Sequence, residues 1–386
     1  MAVLEFDRVD VIFGRKSKEA LALLDQGLGR DEIFDRTGAI VAVHAASLFA
    51  DQGDTLVLMG LSGSGKSSLL RCVNGLNRIS RGHLYLREEE RSVDLADCTE
   101  TDLLRLRRAR IAMVFQQFAL MPWLNVRENV AFGLAARGMD KHARGRLVEE
   151  KLAQVRLERW ADKFPHELSG GMQQRVGLAR ALATEAEILL MDEPFSALDP
   201  LIREHLQDEM LDLQARLKKT IIFVSHDLNE ALKLGTRIAI MEAGRVVQFA
   251  PPAEIVLRPT NDYVRQFVAS MNPLTVLRGA MLMRPVMELP RRGGDIELDG
   301  RGARCTLDPS GKPVACYIGE RTTQFLMAPP EIPMRQAVQH YEHNGEPILI
   351  CGPDGALQGV ITEAELYRGL LRSGTGGAAA RLEPAR

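Results

Sequence analysis

Between residues 41 and 260, short unbroken apolar runs alternate with stretches of helical period. The runs Thr55–Met59, Ile111–Phe115, Ile188–Met191, Ile221–Ser225 and Ile238–Met241 are rich in Ile, Leu, Val and Met. That pattern predicts strands covered on both faces, in a largely parallel sheet fed by βα units. Residues 17–38 predict two short helices set as an insertion, the second opened by Asp31 as N-cap. Past residue 272 Pro and Gly become frequent and the helical period weakens, which places a boundary at Asn272-Pro273 and a second region over 273–372. Within it, PILICGPDGALQGVITEAELYRGLL predicts strand, a turn at Asp354-Gly355, strand and helix. Residues 373–386 are small and polar with nothing to bury, which predicts disorder.

The 386 residues leave room for two or three domains. Lys and Arg total 49 against 51 Asp and Glu, so no bulk positive field exists to hold nucleic acid or anionic lipid. The five cysteines are odd in number and scattered, without Cys-x-x-Cys or zinc-site spacing, which fits a reducing compartment. The first residues lack the basic-then-apolar order of a secretory leader, and no run approaches the roughly 18 apolar residues of a spanning helix. The expectation is a cytosolic chain that crosses no membrane by itself.

The chemistry begins at Gly60-Leu61-Ser62-Gly63-Ser64-Gly65-Lys66-Ser67, which fits G-x-x-x-x-G-K-[ST] between an apolar strand and the helical run opening at Ser67-Ser68. Glycines let backbone N–H groups converge on phosphate oxygens, Lys66 offers a point charge to the β and γ phosphates, and the Ser67 hydroxyl is available to Mg²⁺. The strand Ile188–Met191 runs into Asp192 and Glu193. Two acids at a strand end divide two tasks, Asp192 holding the metal and Glu193 acting as general base on water; the competing use is capping the turn at Pro194. Leu168-Ser169-Gly170-Gly171 opens a helix with a hydroxyl and two glycines, a second anion site.

Together these motifs, in this order, resemble the ATP-binding subunits of ABC transporters. The family's signature LSGGQ stands here as Leu168 to Gly171 followed by Met172, with Gln173 and Arg175 as in the variant LSGGMQQR. By this resemblance Gln116, rather than Gln117, is the Q-loop glutamine that touches Mg²⁺, Ser196 to Asp199 is the D-loop, and His226 is the switch histidine at the γ-phosphate. Phe13, followed by Gly14, looks like the aromatic on which adenine stacks. The resemblance implies an α/β P-loop NTPase with a RecA-like core and antiparallel β and helical subdomains, with ATP and Mg²⁺ as cofactors. Glu193, His226 and Lys66 would be catalytic, and Ser67, Gln116 and Asp192 would hold the metal. It also implies a homodimer, in which each ATP lies between one chain's phosphate loop and the other chain's signature helix, with Ser169, Gly170, Gly171, Gln173 and Asp199 among the nucleotide-binding residues.

Four segments look like the quaternary-amine importers of the glycine betaine, proline and choline group: GRDEIFDRTG, GLSGSGKSSLLRCVNGLNRISRG, QQFALMPWLNVRENVAFG and NDYVRQFV. Pro122-Trp123 and MNPLTVLRG look most similar to the choline members. This implies permease partners, a separate substrate-binding protein met only indirectly, no nucleic acid partner, and a peripheral place on the cytoplasmic face of the membrane. Residues 273–372 resemble a degenerate pair of CBS modules, an α+β region. Gly359 and Thr362 match the ribose motif there, but Glu365 replaces its Asp. The alternatives are a soluble ABC-type ATPase or a nucleotide switch uncoupled from transport; intact Lys66, Asp192, Glu193 and His226 argue against a silent switch.

Overall fold

The computed structural model describes residues 2–88, 91–116, 119–196, 198–269, 274, 277–292 and 294–371. Gln117, Ala197, Asn272-Pro273 and the tail 373–386 lie outside them. Two compact units emerge, Met1–Pro252 and Ala253–Arg386, so the helix Asp262–Ala269 belongs to the second unit and the division falls ahead of residue 272.

The first unit carries two sheets. Strands β1 (Ala2–Phe13), β2 (Ile40–Asp51), β4 (Arg81–Arg87) and β5 (Ser92–Asp94) form an antiparallel sheet in the order β2-β1-β4-β5. The other sheet uses β3 (Thr55–Met59), β6 (Ile111–Val114), β7 (Ile188–Asp192), β8 (Thr220–Val224), β9 (Arg237–Glu242) and β10 (Arg245–Ala250). Its order is β10-β9-β3-β8-β7-β6, parallel except for the β9–β10 hairpin. β3, β7 and β8 are buried along their whole length, as their unbroken apolar runs require. One core cluster joins the sheets: Leu4, Phe6, Leu48, Leu84 and Leu86 pack with Leu56, Leu58, Leu69, Leu190, Ile222 and Met241. Each such side chain contributes about 1.5–3 kcal/mol on burial. Helices α3 (Lys66–Val73) and α4 (Glu100–Ala109) lie between strands in the chain, and α5 (Val126–Ala136), α6 (Lys141–Gln154) and α7 (Gly170–Ala183) fill the connection from β6 to β7. Two further helices, α8 (Pro200–Leu217) and α9 (Leu228–Leu234), lead into and out of β8.

The insertion forms two helices, α1 (Ser17–Asp25) and α2 (Arg30–Thr37), with their own small core of Ile12, Ala20, Leu24, Ile33, Ala39 and Val41. Asp31 is not the N-cap expected of it. Gly29 takes that position with extended backbone, and Asp31 joins Glu32 in the first turn, where carboxylates face the positive helix end. A charged chain pins the insertion to the sheet. Buried Asp10 accepts from Arg81 Nε at 2.6 Å and from the Ala45 amide at 2.9 Å and bonds His44 Nδ1 at 2.7 Å, while Arg81 also grips Asp25 at the end of the first inserted helix.

In the second unit, the strand Leu326–Ala328, helix Met334–Asn344, strands Ile348–Cys351 and Leu357–Ile361, and helix Glu363–Leu371 follow in β-α-β-β-α order. The turn at Asp354-Gly355 forms as expected, with Gly355 at φ +82°. Among the described residues the preceding stretch builds no second copy of this motif. It is an antiparallel meander of Arg291–Arg292, Asp295–Glu297, Ala303–Leu307, Pro313–Ile318 and Arg321–Thr323. Glu365 is buried and accepts from the Thr362 amide and hydroxyl, so its carboxylate is spent on starting its own helix.

Candidate nucleotide site

The phosphate loop is shaped by close backbone approach. Gly60 has φ +142°, and a Cβ there would stand 2.1 Å from the Met241 carbonyl; Gly65 has φ +97°, and its Cβ would stand 2.2 Å from the Ala42 carbonyl. Only glycine fits either place. The Ser64 carbonyl accepts from the Gly244 amide, whose own carbonyl accepts from His44, so β2 and the β9–β10 turn brace the loop. Lys66, buried, donates to the carbonyls of Gly60 and Leu61 at 2.9 Å each. Burial holds its ammonium below the usual lysine range, against the opposing pull of Glu193 and Asp192. The buried Ser64 hydroxyl has no partner among the described residues. A cradle of glycines, a buried ammonium and an orphaned hydroxyl at the start of α3 fit a polyphosphate.

β7 delivers the acids. Asp192, 2% exposed, accepts from the Ser67 hydroxyl at 2.7 Å and from Arg71 Nη2 at 2.9 Å. Glu193 leaves the strand with φ +47°, its amide bonded to the Val224 carbonyl, which turns its side chain out of the ladder. Its Oε2 accepts from Gln116 Nε2 at 3.0 Å and lies 3.6 Å from His226 Nδ1. Lys66, Ser67, Gln116, Asp192, Glu193 and His226 therefore converge from three strand ends and one loop. The hydroxyl of Ser67, the carboxylate of Asp192 and the amide oxygen of Gln116 are hard donors that fit Mg²⁺.

The remaining expected residues stand elsewhere. Ser169 caps α7 by accepting from Met172, and Gly170 and Gly171 form its first turn. Gln173 folds back to donate to the Pro165 and Leu168 carbonyls, so its side chain fixes the signature turn instead of facing a ligand. Asp199 caps α8. Phe13 ends β1, 40% exposed, opposite Ile40. Ile40 lines an open cleft with Leu28, Phe34, His44 and Arg245, beside the loop's brace.

Three partners escaped the sequence reading. Arg71 sits one helical turn beyond Ser67, a spacing that sequence shows once Asp192 is known as its target. Glu230, four residues after His226, is buried and accepts from Ser225 Oγ at 2.6 Å and Gln207 Nε2 at 3.3 Å. Arg203 reaches from α8 to the Leu198 carbonyl and to Asp227, joining the segment before α8 to the one after His226.

Residues 43–196 match the family model described as ABC transporter. A second model, described as AAA domain, putative AbiEii toxin, Type IV TA system, matches 163–232, which excludes the phosphate loop. The chain is 49% identical over 264 residues to the glycine betaine/proline betaine transport system ATP-binding protein ProV of Escherichia coli, covering 68% of this chain and 65% of that protein. It is 46% identical over 283 residues to the glycine betaine/carnitine transport ATP-binding protein GbuA of Listeria monocytogenes, covering 73% and 70%. It is 47% identical over 273 residues to the trimethylamine N-oxide transport system ATP-binding protein TmoW of Ruegeria pomeroyi, covering 71% and 79%. The matched part thus spans just under two thirds of the length of ProV. Among solved structures, the dimeric post-hydrolysis state of the ATP-binding cassette MJ0796 bound to ADP and Pi is 31% identical with a TM-score of 0.54, covering 64% of this chain and 98% of that one.

Proposed function

The chain belongs to the ATP-binding proteins of ABC transporters, and from that membership we propose that it hydrolyses ATP to drive import of a small methylated amine of the glycine betaine class. One observation carries the enzymatic part. Glu193 is held by Gln116 and His226 at the mouth of a loop that presents Lys66, the arrangement a general base needs beside a phosphoryl group. Glu193 takes a proton from the attacking water, Lys66 meets the charge that develops on the phosphoryl oxygens, and His226 and Gln116 fix the carboxylate's aim. Ser67, Asp192 and Gln116 would hold Mg²⁺, which would supply neutralisation of phosphate charge when bound.

By the family's arrangement Ser169, Gly170 and Gly171 serve a second copy's nucleotide; in this chain Ser169 and Asp199 cap their own helices. A homodimer completes both sites. The permease docks near Trp123, which is 71% exposed on a loop that buried Asn129 holds through the Met121 amide and the Leu124 carbonyl. No helix among the described residues is long and apolar enough to cross a membrane. From the family membership, we place the subunit peripherally on the cytoplasmic face, meeting the substrate-binding protein only through the permease. Betaines, carnitine and trimethylamine N-oxide are what the relatives transport by their names. Within this class we read choline as the narrower substrate, from the likeness of Pro122-Trp123 and MNPLTVLRG to the choline members. The β-α-β-β-α motif supports a single CBS-like half in the second unit.

The test is uptake of radiolabelled glycine betaine, choline and trimethylamine N-oxide in cells lacking the gene, complemented with the parent or Glu193→Gln. Restoration by the parent alone supports the assignment and identifies the amine. Equal uptake with the parent and with Glu193→Gln overturns it.

A further inference from the structure

The second unit holds a thiol pair that the nucleotide chemistry does not use. Cys305 and Cys316 are register partners on the adjacent antiparallel strands Ala303–Leu307 and Pro313–Ile318, with their sulfurs 3.7 Å apart and hydrogen-bonded. Residues directly opposite in such a ladder have Cα atoms about 4.5 or 5.5 Å apart, inside the roughly 4.4–6.8 Å span that a disulfide accepts. Both face one apolar cluster with Leu289, Ile296, Leu298 and Phe325, against which Cys351 also packs. Cys305 is fully buried, whereas Cys316 is 8% exposed and offers the pair's access to solvent.

We infer that Cys305 and Cys316 form a reversible covalent modification site, a dithiol that closes to a cross-strand disulfide on exchange with a low-molecular-weight disulfide. Cys316 is the attacking sulfur: it is the solvent-accessible member of the pair, and its hydrogen-bonded contact with Cys305 holds its thiol below the usual cysteine range, while Cys305 is held above it and stays protonated. Cys316 thiolate attacks one sulfur of the small disulfide, forming a mixed disulfide and expelling a thiolate that is protonated by solvent. Cys305 then gives its proton to solvent and attacks Cys316 Sγ, forming the protein disulfide and expelling the second small thiol. The two protein thiols are oxidised by two electrons, and one small disulfide is reduced to two thiols. The sulfurs need to close only from contact to bonding distance, which the facing strands allow without a change of register.

The full-length protein is equilibrated with mixtures of reduced and oxidised glutathione, quenched with an alkylating agent under denaturing conditions and mapped by mass spectrometry. Cys305 and Cys316 should leave the alkylatable pool together as one linked peptide pair and return on addition of dithiothreitol. The Cys305→Ala variant should instead trap Cys316 as its glutathione adduct. Hydrogen exchange of residues 303–318 should slow on oxidation. A pair that stays fully alkylatable at every glutathione ratio, or a Cys316 linked to Cys351, overturns the inference.

Discussion

The Gln116 amide donates to the Glu193 carboxylate across 3.0 Å, although 77 residues separate them in the chain. The parallel pairing of β6 with β7 makes this contact: Val114 is opposite Met191, so the residues just beyond both strands emerge at the same edge of the sheet. A base supported from the neighbouring strand end is sensitive to movement of the loop that follows Gln116.

Replacing Glu193 with Gln keeps the hydrogen-bonding shape and removes the proton acceptor. Turnover should fall by about 10²- to 10⁴-fold while ATP affinity is retained. Size-exclusion chromatography with ATP should then show a dimer that the parent does not accumulate. Ordinary turnover by the variant would remove Glu193 from the role of base.

Gly65→Ala and Gly63→Ala separate steric fit from backbone strain. Both residues have positive φ, but a Cβ at Gly63 meets nothing within 4 Å, whereas at Gly65 it strikes the Ala42 carbonyl. Gly63→Ala should cost about 1–2 kcal/mol and bind nucleotide. Gly65→Ala should abolish measurable binding of a fluorescent ATP analogue; similar affinities in the two variants would count against the braced loop.

Asp10 gives the insertion an acid-sensitive anchor. Burial pushes its carboxyl up, but the hydrogen bonds from His44, Ala45 and Arg81 outweigh it and hold the group below its ordinary 3.8. Its stabilising contribution is therefore complete above that value and is lost as pH falls through the lower folded value. Proteolysis within residues 17–38 should accelerate in that acid window, and Asp10→Asn should cost about 1–3 kcal/mol at neutral pH by urea denaturation. An unchanged urea midpoint would show that Arg81 and Asp25 suffice.

Glu230 should separate folding from catalysis. Burial raises its carboxyl above the ordinary glutamate value, so this contribution favours folding at low pH and is lost as pH rises from the unfolded value through the folded one. Glu230→Gln removes that desolvation and should leave thermal stability within about 1 kcal/mol. It also removes the charge opposite Arg203, whose Nε lies 3.8 Å away, and should lower kcat more than it changes KM. Glu230→Ala takes the carboxylate away from the Gln207 amide and leaves the Ser225 hydroxyl only its longer contact to the Asp227 carbonyl, and should cost about 2–4 kcal/mol.

The nucleotide loop and the strand acids were legible because their chemistry is local: a glycine-rich turn between strand and helix dictates its own backbone. Arg71, Arg203 and Glu230 were not, because ordinary charged residues on helices gain meaning only from what the sheet order brings opposite. The cap of the second inserted helix was misplaced for a related reason. Asp31 and Gly29 both suit helix starts, and the choice rests on where the chain leaves the preceding turn. The meander over 291–323 was illegible because its strands run two to six residues, too short for an alternating pattern to register.

The Ala42 carbonyl that walls in Gly65 also lies 2.9 Å from where a Gly244 Cβ would stand. Possessing the motif and possessing the pocket are consequently different things. A fragment trimmed to residues 43–196, the stretch recognised by the ABC transporter model, would keep every letter of the glycine-rich sequence yet lose both buttresses that give it shape. The smallest autonomous nucleotide binder cut from this chain must reach back through all of β2 and forward past Gly244. Transplanting the loop alone into another scaffold would carry over its spelling without its geometry.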